Sequence, residues 1–297
     1  MKKTIFKGAA TALVTPFKDG AVDTAAFGNI IEEQIVSGID ALVICGTSGE
    51  ASTLDDDEHI GAIEFAVKTV KGRVPVIAGT GSNDTRHGLN LSKRAEAAGA
   101  DALLVCTPYY NKTSQNGLKT MYTLFADSVD IPIIMYNVPS RTGLNIEPQT
   151  YAYLADHPNI CAIKEANGNF SKIAETFALV GDKLDIYSGN DDQTVPILSL
   201  GGKGVISVLS NVLPAETSKM CRLYFEGDVS QSAAMQLKYV PLISALFSDV
   251  NPIPVKEAMY MLGKCTPELR LPLVRMSAEK AAVLRAELVK AGLDVKN

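Results

Sequence analysis

Short apolar runs rich in β-branched residues recur along the chain, and polar segments with helical character separate them. The runs are nearly continuous rather than alternating between apolar and polar positions. This pattern is typical of strands that are buried on both faces, as in a parallel sheet. The sequence predicts eight such strands, at Ala9–Val14, Ala41–Cys45, Val74–Ala78, Ala102–Cys106, Ile131–Tyr136, Ile160–Ile163, Leu184–Tyr187 and Val205–Val208.

Eight strand–helix repeats predict an α/β protein of the (β/α)8, or TIM-barrel, class. The structural alternative is a doubly wound open sheet, which usually has fewer strands and a glycine-rich phosphate-binding turn after the first one. Here the first predicted strand is followed by Thr15-Pro16-Phe17, without a GxGxxG motif. The sequence therefore favours the barrel.

Only helical patterns follow the eighth predicted strand. Pro214–Phe225 can serve as the eighth barrel helix, and further helices are predicted at Val229–Leu246, Pro254–Leu262 and Ser277–Ala291. Because no Ser/Gly-rich linker separates them from the barrel, we expect them to pack on it. We predict a barrel with the active site over residues 1–225 and a C-terminal helical region over residues 226–297.

Composition narrows the possible partners and the compartment. The formal net charge is −5 and basic residues are not clustered, which argues against nucleic acid or an anionic membrane as a partner. No apolar run is long enough to span a membrane, and the N-terminus lacks the apolar segment of a secretory signal. The five cysteines form no CxxC pair, as expected for reduced thiols. We therefore predict a cytoplasmic location.

The sequence predicts neither a metal site nor a catalytic cysteine. The acidic runs Asp55–His59 and Asp191-Asp192 are interpreted as helix starts, where negative side chains suit the helix dipole. Metal-ligand spacings of Cys and His are absent. A nucleophilic cysteine would need a histidine close by, and the chain has only three histidines.

Lys164 is the leading candidate for chemistry, because active sites of (β/α)8 barrels lie where the strands end. It directly follows the apolar residues Cys161-Ala162-Ile163. A lysine in a dry barrel mouth has a lowered pKa and can attack a carbonyl as the free amine. The alternative is a lysine that pairs with Glu165 or extends to the rim. Adjacent strand residues point to opposite faces, which makes Glu165 a poor partner.

Three other features at predicted strand ends suit the same chemistry. The Tyr136 phenol could move protons beside an imine, or it could simply fill the barrel. Gly46-Thr47-Ser48-Gly49 could hold a carboxylate with hydroxyls and backbone amides, or it could be an ordinary capped turn. Arg141 could bind a substrate carboxylate in a bidentate manner, or it could be a surface arginine.

In these motifs the chain resembles the pyruvate-dependent class I aldolases related to N-acetylneuraminate lyase, and most closely the dihydrodipicolinate synthase family among them. The resemblance runs from Gly8–Ala12 to Leu271–Leu273, which is essentially the whole chain. Tyr136–Pro139 and Lys164-Glu165 mark the superfamily, whereas Arg141–Gly143 and Thr107–Lys112 favour the synthases. The segments that carry it are Gly46–Glu50, Thr107–Lys112, Tyr136–Pro139, Arg141–Gly143 and Lys164-Glu165.

The resemblance implies a reaction. Lys164 would form a Schiff base with pyruvate, and the derived enamine would attack the aldehyde of L-aspartate 4-semialdehyde. The product would be 4-hydroxy-tetrahydrodipicolinate, a precursor of diaminopimelate and lysine. The resemblance also implies that no metal or organic cofactor is needed, and that the assembly is a homotetramer.

The resemblance also implies residue roles. Thr47, Tyr136 and Tyr110 would form a proton relay, with Tyr110 reaching into a neighbouring subunit. Arg141 would bind the carboxylate of the semialdehyde. The positions that match pyruvate contacts are Thr47, Ser48, Gly189 and Ile206, and those that match a lysine-feedback site are His59, Asn83 and Tyr109.

The sequence departs from the family pattern in two places. Ser48 stands where a second threonine is usual, which keeps the hydroxyl, and Ala51-Ser52 stands where relatives often have Ser-Ala. Ala51, Asp56 and His87 differ from lysine-inhibited relatives, which puts feedback by lysine in doubt. Two alternatives stay open: another pyruvate-dependent aldolase acting on N-acetylneuraminate or a 2-keto-3-deoxy sugar acid, and a non-catalytic barrel sensor. Arg141 argues against the first, and the joint presence of Lys164, Tyr136, Tyr110 and Thr47 against the second.

Overall fold

A closed barrel of eight parallel strands forms the centre of the molecule, as the sequence predicted. The structure, a computed structural model, describes residues 2–296. The strands are β1 Gly8–Ala12, β2 Phe17–Lys18, β3 Ala21–Val22, β4 Ala41–Ile44, β5 Val76–Gly79, β6 Ala102–Cys106, β7 Ile133–Asn137, β8 Ile160–Glu165, β9 Asp185–Ser188 and β10 Gly204–Ser207. The barrel strands follow the order β1-β10-β9-β8-β7-β6-β5-β4, and β2 and β3 form a separate antiparallel hairpin.

Helices follow the barrel strands and surround them. The acidic run at Asp55 begins a helix, as predicted: Asp55 caps the helix Asp56–Val70 and forms a reciprocal capping box with Glu58. The helices are α1 Thr24–Val36, α2 Asp56–Val70, α3 Thr85–Ala97, α4 Gln115–Asp127, α5 Pro139–Thr142, α6 Pro148–Leu154, α7 Phe170–Val180, α8 Thr194–Ser199, α9 Pro214–Phe225, α10 Val229–Leu246, α11 Ile253–Met261 and α12 Ala278–Lys290.

Several predicted strand bounds were wrong by one or two residues; β1, for example, ends at Ala12 rather than at Val14. Three of these differences have an identifiable reason. Strands β5 and β7 begin two residues later than predicted, immediately after Pro75 and Pro132. Proline has no N–H to donate to a neighbouring strand, so regular pairing begins beyond it. Strand β8 extends two residues further, to Glu165, because Lys164 and Glu165 still pair with β7 and β9.

The buried side chains form two layers. Alternate strand residues point into the barrel and fill it, and the intervening ones pack against the surrounding helices. At the amino-terminal end the rings of Phe6 and Tyr187 stack with centroids 4.1 Å apart, and the Tyr187 hydroxyl donates to the Phe6 carbonyl at 2.7 Å. These side chains thus fill the amino-terminal end of the barrel, and the carboxyl-terminal mouth is the end that can receive a ligand.

The C-terminal helices pack on the barrel wall. Leu284 and Leu288 of α12 belong to the same buried apolar cluster as the outward-facing strand residues. Gln236 of α10 donates to the Asp191 carbonyl at 2.8 Å and accepts from the Val195 amide at 3.1 Å. The division of the chain at residue 225 into a barrel and a separate C-terminal region stays a prediction.

Candidate active site

Two strands bring Lys164 and Tyr136 together at the barrel mouth. Strands β7 and β8 pair in a register that places Tyr136 beside Lys164 and Asn137 beside Glu165. The Lys164 ammonium nitrogen lies 4.3 Å from the centroid of the Tyr136 ring. The two residues singled out first in the sequence are therefore neighbours in space.

Lys164 occupies a dry environment. Only 5% of its surface is exposed, and burial lowers its pKa to about 8, with Arg141 adding to this effect and Asp191 opposing it. The neighbouring aromatic face offers a favourable but weak contact for the charged form. At pH 7 Lys164 would be a free amine in roughly a tenth of the molecules, a far larger fraction than for an exposed lysine.

Glu165 points away from Lys164, as strand alternation predicted. Its carboxylate accepts hydrogen bonds from the Asn137 amide nitrogen at 3.0 and 3.2 Å, the Tyr151 hydroxyl at 3.2 Å and the Asn167 backbone at 2.8 Å. Burial nevertheless raises the pKa of Glu165 to about 7. We infer that these bonds join β7 and β8 on the outer face of the barrel and so keep Lys164 beside Tyr136 on the inner face.

Tyr136 is a protonated phenol at neutral pH. Burial raises its pKa to about 12, although the charge of Arg141 and a hydrogen bond with the Thr47 side chain both act in the opposite direction. A phenol in this state can donate a proton or pass one along, with the Thr47 hydroxyl as its partner. The structure thus joins two of the three residues predicted for the proton relay.

The loop that carries Thr47 and Ser48 is held by the C-terminal region. Thr47–Gly49 form one turn of 3-10 helix after β4. The Asn251 amide donates to the Ser48 hydroxyl at 3.0 Å, and the Thr15 hydroxyl donates to the Gly49 carbonyl at 2.8 Å. Hydroxyl groups and backbone amides of such a turn suit a carboxylate. We call residues 46–50 the cradle loop.

Arg141 also borders the mouth. It lies in the short helix α5 after β7 and donates from Nη2 to the Asn251 carbonyl at 3.2 Å. A cavity of about 420 Å³ is lined by Thr47, Tyr136 and Arg141 together with Asn251 and Pro252. A guanidinium in this position can receive a carboxylate that enters the cavity.

The remaining predicted substrate and relay residues divide into two groups. A Cβ atom at Gly189 would lie 3.2 Å from Cε of Lys164, so this glycine borders the lysine. Ile206 lies in the barrel interior, in the same apolar cluster as Tyr136. Tyr110 is different, because 93% of its surface is exposed and its backbone has φ of 67°. In a single protomer Tyr110 does not join the group.

The residues predicted for a lysine-feedback site lie near the same cavity. His59 and Tyr109 line it, along with Asp56 and His87, whereas Asn83 does not. His59 is buried, its Nε2 lies 2.8 Å from the Gly79 carbonyl, and burial lowers its pKa. This geometry describes a neutral imidazole that donates to Gly79. Its role in regulation stays a prediction.

The sequence did not point to Asp191 as a site residue. A 3-10 helix does begin at Asp191. An acidic residue in the first turn of a helix is usually exposed to solvent, whereas the Asp191 side chain is buried. The carboxylate is buried and accepts from the backbone amides of Val208 and Leu209, both at 2.9 Å. Burial raises the pKa of Asp191, and its other oxygen has no hydrogen-bond partner in the described part of the chain. The predicted helix start at Asp191 is therefore confirmed, but the sequence did not predict that its carboxylate is buried against the end of the next strand.

Other nucleophiles and metal sites gain no support from the geometry. Burial raises the pKa of Cys45 and Cys106, the two thiols that line the cavity, so neither is poised as a thiolate. Within residues 2–296, no group of three or more His, Cys, Asp and Glu side chains could hold a metal ion. No helix among these residues is both long and apolar enough to cross a bilayer.

A buried amine beside a phenol at the carboxyl end of a (β/α)8 barrel is suited to Schiff-base chemistry of the class I aldolase type. Comparison with known proteins gives the particular group. Residues 5–291 match the dihydrodipicolinate synthetase family. The chain belongs to this family.

Individual relatives agree over almost the full length. The chain is 51% identical over 294 residues to the 4-hydroxy-tetrahydrodipicolinate synthase of Caldicellulosiruptor bescii, covering 99% of both chains. It superposes on the dihydrodipicolinate synthase of Aquifex aeolicus with a TM-score of 0.96, at 46% identity, covering 98% of this chain and all of the other. The Acinetobacter baumannii synthase, solved in complex with pyruvate, has a TM-score of 0.95 at 39% identity, with 98% and 100% coverage.

Proposed function

We propose that this enzyme, by its family a synthase of lysine biosynthesis, joins pyruvate to L-aspartate 4-semialdehyde through a Schiff base on Lys164. The buried amine of Lys164, held 4.3 Å from the Tyr136 ring and with its pKa lowered to about 8, is the observation that carries the proposal. The pyruvate complex of the Acinetobacter relative supports the choice of carbonyl substrate. Family membership supports the acceptor aldehyde.

The chemistry would proceed without a metal or organic cofactor. The Lys164 amine adds to C2 of pyruvate, and loss of water gives the iminium ion. Loss of a methyl proton gives the enamine, whose carbon attacks the aldehyde of the semialdehyde and forms the new C–C bond. The amino group of the former semialdehyde then displaces Lys164 from C2, which closes the ring and frees the enzyme. Tyr136, through Thr47, would carry the protons that these steps exchange.

The residues at the barrel mouth suggest how both substrates are placed. The cradle loop would receive the carboxylate of pyruvate, with Ser48 and Thr47 as hydrogen-bond donors and Gly189 and Ile206 as close neighbours. Arg141, which lines the cavity, would receive the carboxylate of the semialdehyde. The five cysteines are free, in keeping with our proposal that the enzyme works in the reducing cytoplasm.

Borohydride trapping with pyruvate, followed by peptide mass mapping, tests the proposal and its pH dependence. Below about pH 8 the ammonium form of Lys164 dominates and cannot attack, so the trapping rate at subsaturating pyruvate should rise about tenfold per pH unit. Above about pH 8 the rate should level off. A pyruvate-sized adduct on another lysine, or none at all, would refute the assignment.

Replacing Arg141 with alanine should mainly impair use of the semialdehyde. Loss of a charge-assisted bond of about 1.5–3 kcal/mol corresponds to a fall in kcat/KM for the semialdehyde of roughly 10- to 150-fold. Pyruvate trapping at pH 9 should change less than about threefold, since the Lys164 amine is free at that pH with or without Arg141. The exposed Arg86→Ala variant serves as the control. Equal losses in both assays would contradict the assigned role.

Assembly as a homotetramer would complete the site. We propose that Tyr110, exposed in one protomer, enters the site of a neighbouring subunit and extends the relay of Thr47 and Tyr136. Co-expressing the inactive Tyr110→Phe and Lys164→Ala chains with different tags should restore activity. Hybrid pairs would contain one intact site, giving about a quarter of the wild-type activity after random pairing. Hybrids no more active than their parents would place Tyr110 outside the neighbour's site.

A further inference from the structure

The cradle loop contains an unusual backbone conformation at its last residue. Glu50 lies in the left-handed region, with φ of 53° and ψ of 35°, between the 3-10 turns Thr47–Gly49 and Ala51–Thr53. A residue with a long side chain rarely adopts this conformation, and it persists only where the surroundings hold it in place. The contacts of Glu50 therefore show what fixes the loop.

Those contacts come from the C-terminal region, about two hundred residues further along the chain. One carboxylate oxygen of Glu50 lies 2.6 Å from the Lys256 ammonium group of α11, and both side chains have an exposed fraction of 0%. The other oxygen accepts from the Arg270 backbone amide at 3.1 Å. Both oxygens of this buried carboxylate are thus occupied by groups outside the barrel strands.

Lys256 is itself held firmly. Its ammonium nitrogen lies 4.1 Å from the centroid of the Phe17 ring, and the Arg270 guanidinium carbon lies 4.4 Å from the same centroid. Arg270 in turn forms an ion pair with Glu58 of α2 at 2.6 Å and donates to the Thr53 carbonyl at 2.8 Å. The segment that follows the cradle loop is therefore fastened to the same C-terminal elements.

A second contact holds the cradle loop at Ser48, two residues before Glu50. Asn251, which precedes α11, donates to the Ser48 hydroxyl at 3.0 Å. The C-terminal segment from Asn251 to Lys256 thus holds the loop on both sides of Gly49. Ser48, the residue between Thr47 and this glycine, is one of the predicted pyruvate contacts.

We propose that the buried Lys256–Glu50 ion pair positions the cradle loop for the carboxylate of pyruvate, so that the C-terminal region sets the affinity of the barrel for its first substrate. The inference rests on the proposed function, because it assigns the pair a part in pyruvate binding. Lys256 and Glu50 are positioning residues, since they act through Thr47 and Ser48 and do not contact the reacting atoms.

A purely stabilising role would not require charge. A buried ion pair adds little to stability compared with well-packed apolar side chains, because removing two charges from water is costly. The charges instead fix the orientation of both partners. Misplacing a substrate-holding group by about 1 Å can cost roughly a hundredfold in rate. Loss of the pair should therefore change pyruvate binding more than it changes folding.

The test is the double variant Glu50→Gln/Lys256→Met, which removes both charges at similar volume and avoids the unpaired buried charge of either single variant. We expect the KM for pyruvate to rise at least tenfold, and the rate of borohydride trapping at subsaturating pyruvate to fall by a similar factor. The KM for the semialdehyde should change less than threefold, and circular dichroism should show a cooperative melt. If the ion pair served folding alone, the double variant would change the KM for pyruvate and the KM for the semialdehyde by similar factors.

The control removes a different C-terminal ion pair, Arg275 with Glu257, whose atoms lie 2.6 Å apart. The double variant Glu257→Gln/Arg275→Met should leave the KM for pyruvate unchanged. If the wild-type enzyme forms the Lys164 adduct and the Glu50/Lys256 double variant forms it equally fast, the positioning role is wrong and the proposed function stands. If the wild-type enzyme forms no adduct, the proposed function fails, and this inference fails with it.

Discussion

Replacing Lys164 with alanine should lower the turnover of pyruvate and semialdehyde by at least about a thousandfold, the scale seen when a covalent nucleophile is removed. The reason is specific to this site. Within residues 2–296, the two thiols that line the cavity have raised pKa values, and no potential metal-holding group is present to polarise the carbonyl instead. Without the amine, the enamine cannot form. A coupled assay measures the loss, and mass spectrometry after borohydride treatment should find no pyruvate adduct.

The variant should remain folded. The ammonium group of Lys164 lies against the ring of Tyr136. Its loss therefore does not leave a buried carboxylate unpaired, as loss of Lys256 would do to Glu50. The exposed Lys68→Ala variant is the matched control and should keep full activity. A folded Lys164→Ala enzyme with more than a tenth of the wild-type kcat would show that another group activates pyruvate.

Replacing Tyr136 with phenylalanine should lower kcat by about 10²- to 10⁴-fold, the usual contribution of a positioned acid–base group. The ring would still fill the barrel mouth and lie beside Lys164, so packing should be retained. What is lost is the hydroxyl that links the reacting centre to Thr47. The affinity for pyruvate should change much less, because the carboxylate contacts are made elsewhere. Steady-state kinetics with both substrates distinguish kcat from KM.

The control for this variant is Tyr153→Phe, which removes a hydroxyl from an exposed tyrosine of α6 and should have no effect. If Tyr136→Phe reduced kcat less than threefold, Tyr136 would serve only to fill the barrel, the alternative that its position in the sequence also allowed.

The barrel and the main site residues could be predicted because they depend on local patterns. Continuous apolar runs mark strands buried on two faces, and the residue after each run must lie at the carboxyl-terminal mouth. These two rules were enough to place Lys164 and Tyr136 at the mouth, where both are found. The bounds of α9 and α10 were also predicted to the residue, since proline and aspartate mark their starts.

The contacts that hold the site could not be predicted in the same way. Asn251, Lys256 and Arg270 act on a loop about two hundred residues earlier, and nothing in their local sequence indicates that distant partner. The buried position of the Asp191 carboxylate could not be predicted for a related reason, although the helix start there was predicted correctly. An acidic residue before a helix looks the same whether its carboxylate faces solvent or accepts backbone amides from the next strand end.

Two neighbouring residues of β8 have different roles on opposite faces of the strand. The Lys164 amine lies inside the barrel, and the Glu165 carboxylate lies outside it, where it bonds Asn137 and Tyr151. Side chains alternate along a strand, so one inserted or deleted residue would exchange the two faces. The mouth would then hold an acid where it needs an amine, and a cation would be buried behind the sheet. Insertions and deletions in engineered or natural variants should therefore be rejected within Ile160–Glu165.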